Sequence, residues 1–195
     1  ILIVSRVSSM FRRFKLGCFY GARALGGFAI ARRITRRQLR VLGYHGGSMG
    51  DEVYFNPKLF MRRETFVQRL TWIEEKNYQV WSLDAAIDQL SNHLPLPHRT
   101  VVLTFDDGWK STVSELLVET HSRRMPTTMY LATNYYDMPY PVINVALRYF
   151  VWKSGRRELT ISEHEGLVAQ HFVLRTRDDL ECFSTVLRPW ILAAG

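Results

Sequence analysis

Thr100-Val101-Val102-Leu103-Thr104-Phe105-Asp106-Asp107-Gly108 is a run of β-branched and apolar residues that stops abruptly at two acids and a glycine. Six residues with no charge among them are what a strand covered on both faces requires, and such strands belong to parallel sheets joined by helices. The two acids therefore stand at the carboxyl end of a buried strand, the edge where α/β proteins assemble their sites. Neighbouring carboxylates repel one another unless a proton or a cation neutralises one of them. A metal ion resolves the conflict: one aspartate ligates it, and the other takes a proton from water that the ion has acidified. Gly108 would let the backbone turn sharply or approach a ligand closely. The plainer alternative is that Asp106 caps the next helix and Asp107-Gly108 is an ordinary turn.

The flanking sequence alternates short apolar runs with amphipathic ones, an α/β rhythm without repeats or low-complexity linkers. Strands are expected over Leu39 to Tyr44, Tyr78 to Trp81, Thr127 to Ala132 and Glu158 to Ile161. Helices are expected over Glu64 to Lys76, with Phe66, Leu70 and Ile73 on one face, and from a Ser82 cap to about Ser91, with Leu83, Ala86, Ile87 and Leu90 inward. Val113 to Arg124 and Val142 to Lys153 follow as helices, and the residues after Ile161 read as helical segments. Trp72, Trp81, Trp152 and Trp190 fall within periodic elements and are read as core.

The chain has 195 residues, 47% of them hydrophobic, so it can bury a core without a disulfide framework. Cys18 and Cys182 lie too far apart in sequence for a metal knuckle and say nothing firm about redox compartment. Net charge is +8, but ten of the 26 lysines and arginines fall in residues 1–40, which hold no acid. The remaining sixteen face all 18 acids, so the body is nearly neutral, against the basic footprint that a nucleic-acid-binding domain needs. Two units follow: a basic amphipathic leader, 1–38, and a body, 39–195.

In the leader, Phe11, Phe14, Cys18, Ala22, Leu25 and Ala29 recur at steps of three or four, the spacing of one helical face. Arg23 interrupts the apolar run, leaving Leu16 to Ala22 and Ala24 to Ala31 as the longest uncharged stretches there, too short to span a bilayer and a poor match to a signal peptide. Two readings stay open: a helix lying on an anionic membrane surface through residues 10–37, and a helix packed on the body with a solvated basic back. The glycines at 17, 21, 26 and 27 weaken any helix there.

The pentapeptide Thr104 to Gly108 resembles the signature of the polysaccharide deacetylases, carbohydrate esterase family 4. Leu42-Gly43-Tyr44-His45-Gly46 is similar to the tyrosine-histidine strand end near the start of many members, and Phe60 to Leu70 to the segment after it. Pro126 to Leu131 resembles the strand after the signature helix, so the match covers roughly residues 39–153 in the family's order. The resemblance implies an incomplete, distorted (β/α) barrel with Asp106 as general base, Asp107 as metal ligand and His45 as the acid that protonates the leaving amine. An imidazole, titrating near about pH 6.5 when unperturbed, suits that task. It also implies a divalent metal, zinc first, and a polysaccharide substrate at the cell envelope or membrane periphery. Trp109 and Tyr135 are candidates to stack on sugar rings, although Tyr135, with Tyr136 and Tyr140, would equally well cover a barrel mouth.

The sequence departs from the family where two later histidines should complete the metal site. His164 and His171 stand seven apart on an expected helix, about 10 Å along its axis, too far for one ion. His93, His98 and His121 read as surface residues. Since the chain begins at Ile1 and ends at Gly195 after an apolar run, a fragment cut before the histidine motif is expected, inactive in this length. Competing readings are a nucleotide-sugar glycosyltransferase that uses the Asp-Asp pair on a divalent ion, and a non-catalytic carbohydrate-binding remnant.

Overall fold

A computed structural model describes residues 14–135, 141–163 and 168–194. Two helices lead, α1 (14–24) and α2 (Gly27–Ile34), followed by β1 (Arg40–Tyr44), β2 (Gly46–Gly47), α3 (Glu52–Phe55) and β3 (Phe60–Met61). Then come α4 (Arg63–Glu75), β4 (Gln79–Val80), α5 (Leu83–Ser91) and β5 (Thr100–Phe105). A π-helical stretch, Thr112–Leu117, runs into α6 (Val118–Ser122), β6 (Thr127–Met129) and a 3₁₀ turn, Thr133–Tyr135. The chain closes with α7 (Ile143–Ser154), β7 (Glu158–Ile161), β8 (Gln170–Val173) and α8 (Arg177–Ala194).

β5 is the centre of a four-stranded parallel sheet. β1 pairs along its length on one side, while β4 and β6 pair with its first and second halves. All six of its residues are buried, as the uninterrupted apolar run requires. Phe66, Leu70 and Ile73 from α4 and Leu116 from the π-helical stretch pack with Val101, Leu103 and Phe105. Each such side chain contributes on the order of 1.5–3 kcal/mol by leaving water. Tyr44 is wedged between Phe66 and Phe105, with ring centroids 5.0 and 5.7 Å away, which locks the end of β1 against α4 and β5. A second core joins Phe172, Leu174, Phe183 and Leu187 to Leu147 and Val151 of α7.

The α/β class and parallel sheet stand, but the described strands form an open sheet, and closure into a barrel is not seen among them. Three expectations are corrected. The leader's single amphipathic helix is two, because Leu25 and Gly26 form a turn, with Gly26 at φ 72; Ala29 therefore leaves the face that the spacing assigned it, and Phe11 lies outside the described residues. His171 sits on strand β8, not a helix: Phe172 alternates inward there while its neighbours face out, a period of two that eclipses the helical reading. Finally, Trp72 and Trp152 are 50% and 40% exposed, and Ile87 and Leu90 are half-exposed, leaving Ala86 as the buried residue of α5. Periodicity finds the inward side of a helix, but how far a neighbour covers it depends on packing. Ser82 does cap α5, accepting from the Ala85 N–H at 3.2 Å.

Candidate active site

β1 and β5 run parallel with Tyr44 beside Phe105, so the residues after both strands leave the sheet at the same end. The Asp106 N–H still donates to the Tyr44 carbonyl at 2.8 Å, which fixes the first acid as an extension of the sheet. A Cβ at Gly43 would lie 3.6 Å from Thr104 Oγ1 and 4.0 Å from Asp106 Oδ2, so the bare glycine keeps the space beside that carboxylate open. His45 follows β1 directly, and its Nε2 stands 3.9 Å from Asp106 Oδ2, both side chains part-exposed. That separation is too long for a direct hydrogen bond and is within the range of an ion pair when the imidazole is protonated.

The chain then reverses through two left-handed residues, Asp107 at φ 69 and Gly108 at φ 72. Aspartate is among the few non-glycine residues that tolerate this region; at Gly108 the positive φ favours glycine, and a Cβ there would also push the Leu131 side chain aside. The turn separates the two acids. Asp107 lines a cleft of about 560 Å³ with Gly108, Trp109, Tyr135, Leu59 and Val145. Its Oδ2 accepts from the Trp109 indole N–H at 3.0 Å. The cleft thus brings Asp107 together with both residues expected to meet sugar rings, while Tyr136 and Tyr140 lie outside the described residues.

Two features escaped the sequence reading. Thr112, fully buried, donates from Oγ1 to the His45 carbonyl at 2.7 Å, tying the π-helical stretch to the loop that carries the histidine. The Gly46-Gly47 pair lets that loop pack down: a Cβ at Gly47 would meet Glu115 Cβ at 2.6 Å and the Ser111 carbonyl at 2.7 Å. The signal was present as two consecutive glycines after a strand, but the contact partners of Gly47 lie more than sixty residues away.

Among the described residues no group of three or more His, Cys, Asp or Glu side chains is placed to hold one ion. Asp107 is a single candidate ligand, so these residues do not by themselves fit a metal centre. His171 bonds instead with Thr160 Oγ1 at 3.1 Å in the β7–β8 hairpin, and His164 lies outside the described residues. His93, His98 and His121 are exposed, His98 accepting from Arg37 Nε at 3.4 Å.

No family model and no curated protein matches the chain. Among solved structures it is similar to IcaB from Ammonifex degensii, at 22% identity over 52% of this chain and 41% of that one, with a TM-score of 0.46. It is also similar to the Streptococcus pyogenes deacetylase PplD, at 26% identity over 52% and 45% of the two chains and a TM-score of 0.45. A polysaccharide deacetylase from Bacillus cereus is similar at 15% identity, over 60% and 36%, with a TM-score of 0.41. The chain spans less than half the length of each of these structures.

Proposed function

We propose that the protein removes acetyl groups from N-acetylated sugars of a polysaccharide by hydrolysing the amide carbon–nitrogen bond. The observation that carries this reading is the juxtaposition of Asp106 and His45, 3.9 Å apart at the carboxyl ends of adjacent parallel strands, beside a cleft that holds Asp107 and Trp109. Asp106 accepts a proton from the water that adds to the acetyl carbonyl. His45 gives a proton to the departing nitrogen as the bond breaks, so acetate and a free amine leave. Base and acid must both reach one substrate, and their closeness supports that reading. Asp107 would supply one ligand to a divalent cation, zinc by the family resemblance, whose chemistry is to polarise the carbonyl and acidify water; the other ligands would have to lie outside the described residues. A distorted barrel completed beyond the open sheet is part of the same proposal.

Replacing Asp106 with Asn in the complete protein should lower turnover on an N-acetylated oligosaccharide by at least 10²-fold with little change in stability, as measured by acetate release and thermal melting. Turnover kept within a few-fold of wild type would remove Asp106 from the role of base. Membrane-peripheral placement in the cell envelope belongs to this proposal as well: Phe14, Phe19, Tyr20, Leu25, Ile30 and Ile34 are exposed on α1, α2 and the turn between them, next to Lys15, Arg23, Arg32 and Arg33. No described helix is long and apolar enough to cross a membrane.

A further inference from the structure

A second hollow, of about 190 Å³, opens beside His45 between the end of β1, the loop before β3 and α4. Tyr44, His45, Lys58, Met61, Arg69 and Leu116 are among its lining residues, and none of that lining is acidic. Elsewhere on the body some cations meet carboxylates: Arg63 meets Glu119, Arg123 meets Glu74, and Lys153 meets Asp51. Among the described residues neither Lys58 nor Arg69 has such a partner. Arg69 instead stands beside Tyr44, which is itself held between Phe66 and Phe105. Both cations are solvent-exposed where they line this one small hollow, and a bound anion there would meet two positive charges and no acid.

The size limits the ligand. Pockets that enclose a whole drug-sized molecule begin at roughly 300 Å³, so this hollow suits one charged substituent rather than a complete sugar with its neighbours. We propose that it binds an anionic group, a carboxylate or a phosphate, carried by the polymer whose acetylated sugar lies at Asp106, which makes the substrate an acidic polysaccharide. The polymer part rests on the deacetylase reading; the anion site does not.

The test titrates the chain with inorganic phosphate and, separately, with glucuronate, following the backbone amide resonances of Tyr44 and His45 by NMR. Saturable shifts are expected, with affinity at least tenfold weaker in Lys58→Met/Arg69→Met and no weaker in Asp106→Asn, which removes a negative charge beside His45. Arg69→Lys, which keeps the charge, should recover part of the loss and shows that a merely misfolded variant is not being read. The tighter of the two ligands identifies the source of the charge. Shifts that never saturate, or equal affinity in the double variant, overturn the proposal. In turnover, the double variant should raise KM for an acidic oligosaccharide at least fivefold more than for a neutral one. Acetate released by the complete protein equally well from both, with no such split, defeats the acidic-polymer assignment and leaves the deacetylase reading standing; saturable anion binding with no acetate released by the complete protein from any polymer does the reverse.

Discussion

Asp106 and His45 work only if the loop after β1 keeps the imidazole where it is, and two small residues do much of that holding. Thr112 satisfies the His45 carbonyl from a fully buried hydroxyl. Thr112→Val retains the shape but leaves that carbonyl short of a donor, so a loss of about 1–3 kcal/mol is expected in urea unfolding. Turnover should fall with it, because His45 is positioned through this bond; a variant as stable and as active as wild type would show that Thr112 positions nothing. At Gly47 the same loop is limited by volume. A Cβ there would overlap the Ser111 carbonyl, which cannot rotate away, so Gly47→Ala should cost about 1–3 kcal/mol and lower the melting midpoint. The two strained residues after Asp106 were partly legible in the sequence, since Asp-Gly announces a turn. That the turn sends Asp107 into the cleft beside Trp109 was not, because it depends on how Leu131 and the chain after β6 pack over it.

At the scale of elements, the leader and the central strand contrast. β5 is buried on every residue, and its run of Thr, Val and Leu could be nothing else. Among the described residues the leader touches the body where the Arg36 carbonyl accepts from the Arg99 N–H and Arg37 donates to His98, and its two helices meet each other through the stacked rings of Phe19 and Phe28, 6.3 Å apart, with Gly27 fitting closely against Ala22. At 100° per residue, Ile30, Ala31 and Ile34 gather on one side of α2, with Ala29, Arg32 and Arg33 opposite, the arrangement of a helix lying in a membrane interface. Each base near an anionic bilayer adds about 1 kcal/mol of attraction. The chain should therefore co-sediment with vesicles that contain phosphatidylglycerol and much less with purely zwitterionic ones, and the binding should weaken as salt is raised. Ile30→Ser/Ile34→Ser should reduce it several-fold. Equal recovery with both vesicle types, or none with either, would return the hairpin to the alternative of a helix pair that packs on protein.

Across the whole molecule, the sheet that carries the site meets the second core through α3 and α7. Asp51, at the start of α3, accepts from Lys153 and from the Tyr149 hydroxyl of α7, the latter at 2.5 Å, while the Phe55 ring packs against Tyr149 and Trp152. The hydrogen bond from Lys153, with that from Tyr149, holds the Asp51 carboxyl below its usual 3.8, and the bond to Asp51 raises Lys153 above 10.5. A lowered carboxyl contributes its stability above the unfolded value and loses it as pH falls through the folded one; a raised ammonium contributes below its unfolded value and loses it as pH climbs. The stability difference between wild type and Asp51→Asn should thus be level from about pH 5 to 9 and shrink toward both extremes. A difference that grows on acidification would mean that this contact does not couple the two cores.

The sequence by itself determined the α/β class, the buried strand, and the placing of an acid pair at that strand's end, because each rests on local pattern: a run of apolar residues, a turn dipeptide, a capping serine. It could not determine that the leader folds as a hairpin, that His171 lies in a strand, or that Trp72 faces water. Nor could local pattern join His45 to Asp106 across sixty residues, which only the family resemblance implied, or Lys58 to Arg69 around one small hollow. Those were decided by tertiary structure, since register between β1 and β5 and packing of α4 bring together side chains whose separation along the chain carries no distance information.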